Sequence, residues 1–125
     1  MKKILTILCL VFLSSYSYSQ EVVPEVETVI REGLVYHQSP TEPFTGIVET
    51  FHRRGKGRIK YRETYKDGKL EGLWEKFYEN GQLRSRQNYK NGKLDGLSEW
   101  FYTNGRGSRR CYKDDEKVDM SYCED

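Results

Sequence analysis

The sequence predicts an all-β protein, an elongated antiparallel meander of tandem β-hairpin repeats forming a single-layer sheet. Three observations lead there. The segment Gly72-Leu73-Trp74-Glu75-Lys76-Phe77-Tyr78-Glu79-Asn80-Gly81 returns after 24 residues as Gly96-Leu97-Ser98-Glu99-Trp100-Phe101-Tyr102-Thr103-Asn104-Gly105, and a looser copy precedes both. Asn-Gly and Asp-Gly dipeptides punctuate the copies, and these residue types tolerate the positive φ of tight hairpin turns. Runs of strand length rich in aromatic and β-branched residues lie between them. A fixed period of this size signals stacked supersecondary units, none of which can bury its apolar face alone.

The chain opens with a targeting pattern. Lys2 and Lys3 are followed by an apolar stretch from Ile4 to Leu13 and a small, polar segment from Ser14 to Gln20, so residues 1–19 are expected to be a signal peptide cut after Ser19. The stretch is too short to span a bilayer. Cys9 suggests an acylated lipoprotein instead, but bulky Leu8 precedes it and the apolar stretch continues beyond. The remainder suits one domain.

Residues 20–32 are expected to be an acidic, flexible lead-in. Gly33 to His37 is a degenerate first strand, and Ser39 to Pro43 a proline-bearing loop. The repeat domain spans 33–119, with repeats at about 46–71, 72–95 and 96–119. Residues 120–125 form a C-terminal tail.

In the second repeat, Glu79-Asn80-Gly81 and Lys90-Asn91-Gly92 mark the turns. Three-residue turns with Gly at a left-handed position give strands over Lys69 to Tyr78 and Gln82 to Tyr89. Alternation then places Leu73, Glu75 and Phe77 on one face, aligned with Leu83, Ser85, Gln87 and Tyr89. Ile47, Phe51, Ile59 and Tyr65 recur there in the first repeat, and Leu97 and Phe101 in the third. The opposite face would carry Trp74, Lys76, Tyr78, Arg84 and Arg86, then Trp100 and Tyr102. A two-residue turn at Asn80-Gly81 would instead bring Tyr78 opposite Leu83, which separates the apolar residues. The third repeat decays: Gly107 replaces Leu83, and Asp114-Asp115-Glu116 replaces the closing turn, as expected of a polar terminal unit.

Charge is uneven along the chain. Residues 20–51 carry one basic and six acidic residues, 52–93 thirteen and five, and 94–125 five and eight. A basic centre between acidic ends suits an anionic partner, although basic residues also fill the solvated face of any half-buried sheet. The inserted run Arg53-Arg54-Gly55-Lys56-Gly57-Arg58 reads first as a solvated loop tip and second as an anion grip. Export disfavours nucleic acid as the partner.

Cys111 and Cys123 remain after cleavage. An even pair in an exported chain of this length reads as a disulfide, with free thiols the alternative. A metal site would need more ligands than these cysteines and the distant His37 and His52 supply.

Hairpins opened by Gly72-Leu73-Trp74 and closed by Tyr89-Lys90-Asn91-Gly92-Lys93 resemble the MORN (membrane occupation and recognition nexus) repeats, and most closely the bacterial variant often labelled antitoxin-type. Pro43-Phe44-Thr45-Gly46, Tyr65-Lys66-Asp67-Gly68-Lys69, Tyr78-Glu79-Asn80-Gly81-Gln82-Leu83 and Phe101-Tyr102-Thr103-Asn104-Gly105 carry the same resemblance, which covers Gly33 to about Asp119. The resemblance implies an elongated sheet of hairpins, no intrinsic enzymatic activity, and roles in protein contact, dimerisation or, in eukaryotic members, phospholipid association. An antitoxin role fits poorly with export.

The residues themselves show no constellation for acid-base or nucleophilic chemistry, and a single sheet offers no deep pocket. The expected function is a non-enzymatic exported interaction or scaffold module at the bacterial cell envelope, without cofactor. Its expected location is the periplasm, the cell surface or the medium. Trp74, Tyr78, Arg84, Arg86, Trp100 and Tyr102 are the candidate partner contacts, because aromatic and Arg side chains dominate interface energetics. The alternative is that they pack within the sheet or on the N-terminal segment. The expected partner is an envelope or secreted protein, or a second copy of the chain. Binding of a membrane surface or an anionic glycan through the basic central repeats is the second reading.

Overall fold

The computed structural model describes residues 20–38 and 41–124, so the expected signal peptide lies outside the described residues. Ten strands follow in order: β1 (Val22–Pro24), β2 (Thr28–Arg31), β3 (Leu34–His37), β4 (Gly46–Phe51), β5 (Ile59–Lys66), β6 (Lys69–Phe77), β7 (Leu83–Lys90), β8 (Lys93–Phe101), β9 (Gly107–Lys113) and β10 (Glu116–Val118). Single 3-10 turns occupy Glu25–Glu27 and Met120–Cys123. Eight strands form one open sheet in the order β1-β4-β5-β6-β7-β8-β9-β10, while β2 and β3 form a separate hairpin. Every pairing in the large sheet is antiparallel except β1 with β4. The all-β meander is as the repeat period predicts.

Two turn designs alternate along it. At the Asn80-Gly81 end, the Tyr78 amide donates to the Gln82 carbonyl at 2.9 Å, and the Gly81 amide returns to Tyr78 at 2.9 Å. Gly81 takes φ 87°, the left-handed region that glycine occupies without steric cost. This is the expected three-residue loop. The other end differs. Asn91 and Gly92 both have positive φ, at 50° and 79°, and join Lys90 directly opposite Lys93, so this is a two-residue turn whose twist matches its strands. The expected three-residue turn there is corrected, and β7, Leu83–Lys90, ends one residue later than the sequence reading.

That reading also misplaced part of the second strand in the first two hairpins. Phe77 lies opposite Leu83 as expected, but the register shifts at once, putting Lys76 opposite Ser85, Glu75 opposite Arg86 and Trp74 opposite Gln87. Arg84 is the extra residue. A bulge of one residue reverses which face the rest of the strand presents, so Ser85, Gln87 and Tyr89 join Trp74, and Arg86 joins Glu75. A similar shift occurs at Thr50/Phe51, whereas β8 and β9 pair without one. Tyr65, expected beside Ile47, pairs with Gly46 and Leu70 on the Trp74 face.

The registers define two unlike surfaces. One, the tryptophan face, carries Val48, Glu63, Trp74, Gln87, Ser98 and Arg110 in a row. The other carries Glu49, Arg62, Glu75, Arg86, Glu99 and Arg109, an alternating ladder of opposite charges across six strands. Within it Arg62 meets Glu49 at 3.1 Å and Glu75 at 3.5 Å, while Glu99 meets Arg86 at 2.8 Å and Arg109 at 3.6 Å. Opposite charges directly across a ladder stabilise the pairing.

Each repeat is also tied to the next. The amides of Gly68, Gly92 and Asp115 donate to the carbonyls of Phe44, Leu70 and Leu94, at 2.7, 2.8 and 2.9 Å. The side chains beside those carbonyls help: Thr45 accepts from the Asp67 amide and Glu71 from the Asn91 amide. Gly107 has its own reason, since a Cβ there would lie 2.6 Å from the Trp100 carbonyl oxygen.

The ends are closed on opposite faces. Val23, Val35, Phe44 and Val48 are buried together with Tyr65 packed against them, on the tryptophan face at the N-terminal end. The expectation of a flexible lead-in over 20–32 therefore gives way: Val23 is 4% exposed and pairs with Val48. Burying that side chain and pairing the backbone of β1 offset part of the entropy of ordering the segment. At the other end Cys111, fully buried opposite Leu97, is bonded to Cys123 and draws the last 3-10 turn over the ladder face. Asp119 caps that turn by accepting from the Ser121 amide, and the Tyr122 hydroxyl donates to Asp95.

Candidate binding cleft

Where the 3-10 turn Glu25–Glu27 meets the tryptophan face, a cleft of about 750 Å³ opens beside the hairpin tips. Its aromatic lining comes from Tyr61 and Tyr78, and its cations from Arg53, Arg54, Lys60, Lys76 and Arg84; Phe51 and Phe77 border it at the strand ends, the Phe77 ring lying under Arg62 of the ladder face. Glu25 and Glu79 are the acidic residues in the lining.

The strands place these groups by register. Tyr61 lies opposite both Thr50 and Lys76, and its ring packs on Trp74 with centroids 5.5 Å apart. The ammonium groups of Lys60 and Lys76 lie 5.1 and 5.4 Å from the Tyr61 centroid. The Arg84 guanidinium lies 5.5 Å from the Tyr78 centroid. Such contacts hold cations over ring faces without neutralising them. Among the described residues, no carboxylate pairs with any of the cleft's five cations within 4.0 Å, whereas the three arginines of the opposite face are all paired. The net positive charge is thus left available to an anion.

Beneath this floor the Trp74 indole Nε1 donates to Glu63 at 2.9 Å. Burial raises the Glu63 carboxyl above its ordinary pKa; the bond from Trp74 opposes this, the Glu25 charge adds to it, and a bond with Tyr65 opposes it again. Burial likewise pushes the Tyr65 hydroxyl up, and the neighbouring Glu63 charge pushes it further. Trp74, held by Glu63, in turn backs the Tyr61 ring. Among the described residues no cluster of three His, Cys, Asp or Glu side chains is placed to hold a metal ion.

The six contacts expected from the sequence divide. Tyr78 and Arg84 line the cleft, and Trp74 supports its floor through Tyr61. Trp100 lies further along the same face, directly opposite Ser85, with Arg110 5.4 Å from its centroid. Tyr102 is exposed at the last hairpin tip, its hydroxyl 3.3 Å from Ser108 Oγ. Arg86 is on the other face, bound to Glu99, so its placement beside Trp74 is corrected. The bulge at Arg84 is the cause. Lys60, Lys76, Tyr61 and Glu25 were not among the expected contacts. The basic run from Arg53 to Lys60 was the available signal for the first of these; Glu25 gave none, because its approach depends on a parallel pairing remote in sequence.

A family model described as MORN repeat variant matches residues 70–91, the segment from Leu70 in β6 to the turn at Asn91. No curated protein and no solved structure matches the chain. The matched segment contains the bulged hairpin that carries Trp74, Tyr78 and Arg84, and the resemblance read from the glycine and aromatic spacing rests on the same residues. This chain carries a repeat of the MORN repeat variant family.

Proposed function

We propose that this protein is an exported, non-enzymatic interaction module of the cell envelope that binds an anionic partner protein in the cleft of its tryptophan face. The observation that carries the reading is the contrast between faces: arginines of the ladder are matched by carboxylates, while the five cleft cations are held over tyrosines or solvent without one. Unmatched cations beside aromatic rings supply both steering and contact area to an anionic surface. The MORN repeat match supports a binding module, and the targeting pattern at Lys2 to Ser19 supports export.

The test is capture from native envelope with the wild-type protein and a Lys60→Ala, Lys76→Ala, Arg84→Ala variant. Wild type should retain a partner that the variant loses. Retention of the same proteins by both would overturn the assignment of the cleft.

A second reading has its own observation. The hairpin tip carries Arg54, Lys56 and Arg58 around a smaller hollow, with the Arg58 guanidinium anchored to the Glu79 carbonyl at 2.8 Å. This tip suits a membrane surface or an anionic glycan. Binding of anionic vesicles that collapses between low and physiological salt, and that Arg54→Ala with Lys56→Ala abolishes, would favour it.

A further inference from the structure

We infer that the cleft takes an acidic, extended peptide segment of its partner, and that Glu25 already places one carboxylate in its lining, so the N-terminal turn and the partner compete for the cleft. This rests on the reading of the cleft as an anionic partner's binding site. Glu25 enters from outside the repeats, on the short turn between β1 and β2, and its carboxylate accepts a hydrogen bond from Thr50 Oγ1 at 3.1 Å. Thr50 lies directly opposite Tyr61, the ring that carries Lys60 and Lys76. A neutral hydroxyl is thus its hydrogen-bond partner, and the two ammonium groups that line the same cleft have no carboxylate within 4.0 Å among the described residues.

The arrangement selects a segment over a single small anion. Cations gather at two separate platforms, Lys60 and Lys76 on Tyr61 and Arg84 on Tyr78, rather than converging on one point. An extended chain presents alternate side chains on one side at a spacing of about 6 to 7 Å, so one segment can offer carboxylates at separate points. The cleft volume of about 750 Å³ falls within the range of small-ligand sites, room for a few side chains of such a segment. Glu25 lowers the potential that such a segment meets and fills part of the space. Its removal strengthens binding.

Fluorescence anisotropy with a labelled peptide of alternating Glu and Ala tests this, using the wild-type protein, Glu25→Gln, Glu27→Gln and Lys60→Ala/Lys76→Ala. Glu27 belongs to the same turn but faces His37 at 3.4 Å, so its variant controls for loosening of the turn. Glu25→Gln should bind about 3- to 10-fold tighter, the scale of one nearby like charge removed from partly hydrated surroundings. Glu27→Gln should match wild type, and the lysine variant should bind at least about 10-fold more weakly. Equal affinities for wild type and Glu25→Gln, with binding still lost in the lysine variant, would overturn the competition and leave the cleft assignment standing. A peptide bound equally by wild type and the lysine variant would overturn both. If phosphatidylserine vesicles respond to Glu25→Gln while the peptide does not, a peptide is not the occupant.

Discussion

The Tyr78 hydroxyl donates to the Phe101 carbonyl oxygen at 2.8 Å, reaching the end of the strand two positions away in the sheet. One repeat earlier, His52 does the same with its Nε2, 3.1 Å from the Phe77 carbonyl oxygen. Tyr102 stands at the corresponding place in the last repeat and meets Ser108 instead. In the first two hairpins the position after the closing Phe therefore serves as a tie between repeats. Tyr78→Phe should cost about 0.5 to 1.5 kcal/mol through the lost bond, seen as a lower melting temperature, while retaining the ring under Arg84 and hence peptide binding within about twofold. An unchanged melt would show that the tie contributes nothing.

Trp74 and Leu73 should exchange the ranks that alternation alone suggests. Leu73 is 41% exposed, whereas Trp74 is half-buried, packs on Tyr61 and bonds Glu63. Trp74→Ala should cost about 2 to 4 kcal/mol, somewhat below a fully buried ring, and Leu73→Ala below about 1 kcal/mol. Urea denaturation of the two variants decides the matter. Equal losses would contradict the face assignment made from the registers.

Glu63 should make stability depend on pH. Its folded carboxyl pKa is raised above the ordinary value, chiefly by burial, so the fold favours the protonated form. Its contribution is fully present below the ordinary carboxylate pKa and is lost as pH rises through the folded value. Glu63→Gln keeps an oxygen for the Trp74 indole, and should melt above wild type near pH 7 but level with it near about pH 4. A variant less stable than wild type at neutral pH, with no convergence in acid, would refute the burial argument.

The bond between Cys111 and Cys123 closes a loop with a sequence separation of 12. Cys123→Ser should cost up to about 3 kcal/mol, with the exact loss reduced by the Tyr122 and Asp119 contacts that also hold the turn. Reductant should bring the wild-type melt down to that of the variant and leave the variant unchanged. Identical melts for oxidised and reduced wild type would show that the bond adds no stability.

The sequence by itself determined the period, the existence of the repeat hairpins, the left-handed glycine at Gly81 and the cysteine pair. These follow from local turn chemistry, strand propensity and cysteine parity, all carried by residues close to one another or by a count. The faces were not legible in the same way. Alternation correctly separated Trp74 from Phe77 within β6, yet the extra residue at Arg84 moved Ser85, Gln87 and Tyr89 to the other side and took Arg86 into the charge ladder. A bulge forms where two strands settle their register, so it depends on the pairing and not on either strand alone. The N-terminal segment was decided at longer range still. Residues 20–27 read as an acidic, flexible stretch until the parallel pairing of Val22–Pro24 with β4 buries Val23 and brings Glu25 to the Thr50 hydroxyl in the cleft lining. Only tertiary structure brings together residues that local periodicity does not connect.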